Sequence, residues 1–256
     1  MNLGRVSMWR RDSIGASGVL ERPELAIRHN GPVRRLLKWT TVLASVSLLT
    51  LGLTAGSAAA SGPGTFTFYT GVGGSGWEGI TAGPDGAIWF TNYKTDTIGR
   101  ITTKGVVTNY TGPSISGPEG ITVGPDKALW FTNYGNGSIG QITTAAVVTN
   151  YTSSSINEPE GITVGPDKAL CFTNYRNNSI GRITTKGRIS DFTGTGIDAP
   201  CGITAGSDGT LWFANYGGNG SIGQISTAGV VTNHTGTGPT ISAPVAIAAG
   251  PDGALW

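Results

Sequence analysis

Gly124-Pro-Asp-Lys-Ala-Leu-Trp-Phe-Thr-Asn-Tyr134 has slightly varied copies starting at Gly83, Gly165, Gly206 and Gly250. Successive starts are 41, 41, 41 and 44 residues apart. A period of about 40 residues, with several short β-runs and Gly-rich turns in each copy, marks a propeller whose blades bury their faces only against neighbouring blades. Upstream of the quoted stretch, Gly120-Ile-Thr-Val123 lies between Pro118 and the Gly124 turn, as a buried inner strand would. Ala128–Asn133 then reads as a second strand rich in aromatic and β-branched residues, Ser138–Thr143 as a third and Val147–Thr152 as a fourth. Four strands joined by turns make one blade. The fold class is therefore all-β, a β-propeller of four-stranded blades, with about four and a half blades between residues 61 and 256.

Charge separates the chain into two parts. Eight of the seventeen Lys and Arg and three of the fifteen Asp and Glu lie in residues 1–60, so the repeats hold nine basic against twelve acidic side chains, a formal charge of −3. The repeats have no basic footprint, which argues against nucleic acid as a partner. Within 1–60, Arg34-Arg35-Leu-Leu-Lys38 leads into the apolar Trp39–Leu53 and then Ala58-Ala59-Ala60. A charged segment, a short apolar run and an A-x-A site describe a secretory signal peptide cleaved after Ala60. A retained membrane anchor is the competing reading, but the run is short and rich in Thr and Ser for a span of about 20 residues. The expectation is a secreted or cell-envelope protein with no stable membrane span after cleavage. The paired arginines fit a twin-Arg signal poorly.

Individual repeat positions suggest roles. Asp85, Asp126, Asp167, Asp208 and Asp252 sit in hairpin turns, where each carboxylate can accept nearby backbone N–H groups. One carboxylate per turn is too few for calcium. Trp89, Trp130 and Trp212 are suited to filling the gaps between blades. Cys171 replaces the tryptophan in its copy and Cys201 replaces a glutamate, so the two substitutions look independent rather than paired as a disulfide or joined in a metal site. His234 takes the place of Tyr110, Tyr151 and Phe192 and reads as a surface aromatic substitute. Glu78, Glu119 and Glu160 each precede an inner-strand Gly-Ile. If those strands line the channel, the three carboxylates form part of a ring at its mouth, able to bind a hard cation or a positively charged ligand. Alternatively, each caps neighbouring N–H groups in a solvated mouth.

Leu129-Trp-Phe-Thr-Asn133, Asn178-Ser-Ile-Gly-Arg-Ile-Thr184 and Pro159-Glu-Gly-Ile-Thr163 together resemble the virginiamycin B lyase (streptogramin B lyase) family, across residues 65–256. The resemblance implies a seven-bladed propeller that opens a cyclic depsipeptide antibiotic at its ester by elimination, with Mg2+ as Lewis acid and a general base. It also implies a small-molecule or cyclic-peptide ligand and a monomer when the ring is complete. The family's essential groups lie in Pro-His-(Ala/Gly)-Ile and Glu-Pro-His-Gly-Ile segments, with a further Glu after a Trp-Phe pair. Glu158-Pro159-Glu160-Gly161-Ile162 comes nearest: Glu158 matches the family's glutamate, as metal ligand or catalytic group, and Glu160 stands where histidine is expected. Asn92, Asn133, Asn174 and Asn215 replace a common Glu, which is expected to leave the loop surface neutral. Seven blades of 41 residues need about 287 residues, and residues 65–256 supply 192. The expectation is a fragment whose catalytic histidines would follow Trp256, and which is itself an inactive lyase-like propeller. The alternative is a secreted binding propeller without chemistry. Thr65–Thr70 reads as a fourth strand without a blade, of the kind that closes a ring.

Overall fold

The computed structural model describes residues 25–28, 66–72, 76–218, 220–235 and 241–256. The signal-peptide segment lies outside these. The chain divides into two units, residues 1–70 and 71–256. In the first, β1 (Leu25–Arg28) pairs antiparallel with β2 (Phe66–Tyr69), Leu25 opposite Tyr69. The strand expected near residue 66 thus exists, with residues 25–28 as its partner.

The second unit holds four sheets of four antiparallel strands among the described residues. The first blade is β3 (Trp77–Ala82), β4 (Ile88–Asn92), β5 (Thr97–Ile101) and β6 (Val107–Thr111). The second is β7 (Pro118–Val123), β8 (Leu129–Asn133), β9 (Ser138–Ile142) and β10 (Val148–Thr152). The third is β11 (Pro159–Val164), β12 (Leu170–Asn174), β13 (Ser179–Ile183) and β14 (Ile189–Thr193). The fourth is β15 (Pro200–Ala205), β16 (Leu211–Asn215), β17 (Ser221–Ile225) and β18 (Val231–His234). The fifth copy forms a hairpin, in which Ala248 and Trp256 exchange two backbone hydrogen bonds of 2.8 Å. The propeller architecture and its blade count follow the repeat.

Each blade packs through a layer of apolar side chains. Trp89 and Ile98 of the first blade are fully buried with Ile121, Leu129, Phe131 and Ile142 of the second. Trp130 and Ile139 repeat the arrangement against Ile162, Leu170, Phe172 and Ile183. Trp89 and Trp130 fill the gaps between blades as expected, whereas Trp212 is only partly buried. Within a sheet, Phe90 faces Gly99, and a Cβ on Gly99 would lie 2.1 Å from the Phe90 ring. The Gly of the Ser-Ile-Gly-(Arg/Gln) motif is therefore the space the phenylalanine occupies.

The inner strands β3, β7, β11 and β15 lie side by side. Each carries a bulge between its first residue and its isoleucine, as between Pro118 and Ile121. A bulge leaves a backbone N–H without a ladder partner. Thr132 Oγ1 fills this role, accepting from Gly120 N at 2.8 Å and donating to Glu160 O of the next blade at 2.5 Å. Thr91 and Thr173 do the same to Glu119 O and Cys201 O. In the fourth blade Ala214 lacks the hydroxyl, and Gly202 N instead donates directly to Val245 O at 2.8 Å. The close approach explains the glycine: a Cβ at Gly120 would lie 2.5 Å from Glu160 O.

Candidate functional site

Because Glu78, Glu119, Glu160 and Cys201 each occupy the bulge of successive inner strands, they fall in one row across four blades. Glu78 is exposed, Glu119 and Glu160 are half-buried, and Cys201 is buried. Burial, with Glu160, Glu78 and Glu158 nearby, pushes the Glu119 carboxyl up to about 8. Glu119 therefore holds its proton at neutral pH and can donate a hydrogen bond. Glu160 is also raised, mainly by burial, against a counteracting hydrogen bond from the Cys201 thiol. Cys201 is raised by burial and by that same carboxylate, and it lies 3.6 Å from Ala199 O. Both cysteines are free and buried, and a thiol pushed this high is a poor nucleophile.

Glu158 precedes the row. Its backbone adopts φ 47°, a left-handed conformation that disfavours a side chain with a Cβ. The corresponding positions are Gly76, Gly117, Ala199 and Ala243, so the third blade alone places a carboxylate here. Its Oε2 accepts the Tyr134 hydroxyl at 2.9 Å. Burial and this bond raise the Tyr134 phenol. Backbone strain of this kind is retained where surrounding structure holds it, often at sites of function.

Sequence reasoning missed the tyrosines. Tyr93, Tyr134, Tyr175 and Tyr216 follow the second strand of each blade, and their N–H groups donate to Gly76, Gly117, Glu158 and Ala199, at the start of the inner strands. This places an arc of phenols beside the carboxylates. Tyr93 and Tyr134 meet edge to face at 6.0 Å, and Tyr175 and Tyr216 lie 6.3 Å apart. The repetition of Asn-Tyr at a fixed place in the first four copies is the available signal.

Other expectations need sorting. Asn92, Asn133, Asn174 and Asn215 do not form a neutral loop surface: all four are buried. Asn133 accepts from Ser116 N at 3.1 Å and donates to Ser114 O at 2.9 Å, tying the second strand to the loop before the inner one. A substrate would not reach them. The turn aspartates do accept backbone N–H groups, as Asp126 does from Ala128 at 3.2 Å, and they also take the Trp130 Nε1–H at 3.0 Å. His234 stacks on Trp212 at 4.9 Å and contacts Gln224 at 3.1 Å, in the outermost strand, far along the blade from the inner row. It substitutes for tyrosine, as expected. Among the described residues, no three carboxylate, imidazole or thiol groups converge to hold a metal ion. Glu158 and the row of Glu78, Glu119 and Glu160 share an electrostatic field, in which, after burial, the other three raise the Glu119 carboxyl. Nor is any helix among the described residues long and apolar enough to cross a membrane.

Four-stranded blades around an inner row of carboxylates, with phenols beside them, define a β-propeller. The chain matches the virginiamycin B lyase family over residues 56–256 and belongs to it. A catalytically inactive virginiamycin B lyase from Staphylococcus aureus with quinupristin is similar, at 40% identity and a TM-score of 0.70, over 75% of this chain and 66% of that one. A streptogramin B lyase structure shares 39% identity with a TM-score of 0.69, over 75% of this chain and 65% of that one. The chain therefore spans just under two thirds of the length of these relatives. A gluconolactonase from Xanthomonas campestris, at 18% identity and a TM-score of 0.56, over 70% of this chain and 68% of that one, shares the fold alone. No curated protein matches this chain.

Proposed function

We propose that the mouth formed by Glu119, Glu158, Glu160 and Tyr134 binds a cyclic depsipeptide of the streptogramin B class, and that these residues do not open its ester. The observation that supports binding is Glu158: one carboxylate on a strained backbone, held by the phenol of the preceding blade, in a family whose relative is seen with quinupristin. Phenol rings offer flat apolar faces to a macrocycle, and a protonated Glu119 offers a donor to its carbonyls. Elimination would need a base to take the proton next to the ester carbonyl. Among the described residues no imidazole reaches the mouth to take that proton. Magnesium, as the family resemblance implies it, would supply Lewis-acid polarisation and would draw on ligands besides these glutamates. Export from the cell fits an encounter with such an antibiotic outside it.

Calorimetric titration of the chain with quinupristin tests the reading, alongside chromatography of the ligand after long incubation with magnesium. Saturable binding with the ester intact is the expected result. Absence of binding overturns the proposal, and ring opening without addition of water overturns its non-catalytic half.

A further inference from the structure

At the junction of the third and fourth blades the repeat leaves an unfilled position. In the first blade the Trp89 indole stacks on Tyr110 at 5.4 Å, donates its N–H to Asp85 at 3.0 Å and lies 5.8 Å below the Arg100 guanidinium. In the second, Trp130 stacks on Tyr151 at 5.3 Å and donates to Asp126 at 3.0 Å. The third blade has Cys171 instead, yet the groups around the ring keep their places. Asp167 accepts from Ala169 N at 3.2 Å, as Asp85 does from Ala87 N at 3.2 Å. Arg182 Nε meets Asp167 Oδ2 at 2.7 Å, as Arg100 Nε meets Asp85 Oδ2 at 2.6 Å. Phe192 stays beside Gly229 as Tyr151 stays beside Gly187, so its ring has not slid into the gap.

What remains is a cleft between the blades, walled by Phe192, Ile180, Leu211 and Ile225, with Asp167 and Arg182 also lining it. Its empty space is about 290 Å³ counted out to open solvent, of which about 10 Å³ accommodates the centre of a water molecule. As the side chains stand there is room for about one water, so a larger guest requires the Arg182 side chain, which is 27% exposed, to move outward.

We infer that this cleft is a binding site for a planar heteroaromatic ring with a ring N–H, of the indole class. Phe192 takes the place of the stacking tyrosine, the Asp167 carboxylate accepts the N–H, and Arg182 closes over the outer face. The aliphatic walls exclude water from the ring edge. The site is separate from the channel mouth and its ligand. A nine-atom ring in such a site binds with a Kd on the order of 0.1–1 mM.

Ligand-observed NMR with free indole and the full chain tests the site, with thermal unfolding followed in parallel. The expected result is saturable binding and an upward shift of Tm on the order of 2 °C near saturation. 1-Methylindole, which has no N–H for Asp167, should bind at least about fivefold more weakly. Cys171→Trp supplies the ring covalently and should abolish indole binding. Cys171→Ala and Phe192→Leu make the test independent of whether that variant folds: the first should retain binding, and the second should lose it. Failure of indole to saturate, equal affinity for 1-methylindole, or unchanged binding in Phe192→Leu overturns the inference.

Discussion

The layer between blades and the channel mouth come from the same repeat, but they use it in opposite ways. In the packed layer, the residues recur because each must fill a space that a neighbouring strand of its own blade or the next dictates: Phe90 faces Gly99, Phe131 faces Gly140 and Phe172 faces Gly181. At the mouth, backbone conformation recurs while side chains change from blade to blade. The left-handed position before the inner strand is Gly76, Gly117, Glu158, Ala199 and, in the fifth copy, Ala243, and the bulge position is Glu78, Glu119, Glu160 and Cys201. Packing constrains the first region to uniformity, and the open channel frees the second to acquire chemistry one blade at a time.

That contrast can be broken most forcefully where the two regions share an atom. Gly120→Ala sets a Cβ 2.5 Å from Glu160 O and 3.0 Å from Ile162 N, so two inner strands must part. Urea unfolding should show a loss of about 3 kcal/mol. A loss under about 0.5 kcal/mol would mean that the inner strands are not held this closely.

A smaller effect is expected at Glu119, where the mouth bears a cost that the packed layer does not. Its folded-state carboxyl titrates near 8 against an ordinary 4.5, so the folded state binds more protons between those values and stability falls as pH rises through that window. Glu119→Gln should flatten the fall. Thermal melts from pH 5 to pH 9 should show the variant gaining about 1–2 kcal/mol over the parent at the alkaline end and almost nothing at the acid end. Parallel pH profiles for the two proteins would rule out a raised carboxyl.

The smallest stability change and the largest functional one should coincide at Glu158. Glu158→Gly removes a side chain from φ 47° and also removes the acceptor for Tyr134. These terms oppose each other, so stability should move by less than about 1 kcal/mol. Quinupristin affinity should nevertheless fall by at least about tenfold, a charge-assisted hydrogen bond's worth. Unchanged affinity would assign Glu158 to architecture.

The blades were legible in the sequence because their cause is periodic: apolar runs, turn residues and the Gly opposite each Phe all return every 41 residues. The placement of Glu78, Glu119 and Glu160 on neighbouring inner strands was legible for the same reason. The mouth's composition was less so. Asn133 stands where the resembled family commonly has Glu, which suggests a neutral loop surface, whereas here three-dimensional closure brings Ser114 and Ser116 over it. Tyr134 passed unnoticed because its partner, Glu158, is 24 residues away in the next blade, and no local pattern joins them. Glu158 itself was found through family resemblance, and its left-handed backbone has no signature in a Glu-Pro dipeptide.

The threonine hydroxyls that join inner strands have a direction. Thr91, Thr132 and Thr173 each donate to a carbonyl 28 residues later in the chain. During synthesis, a blade that has emerged from the ribosome already presents the group that receives the next inner strand, so assembly can follow the order of translation. The growing end then carries a template rather than a bare edge, and each new blade inherits its alignment from the one made before it.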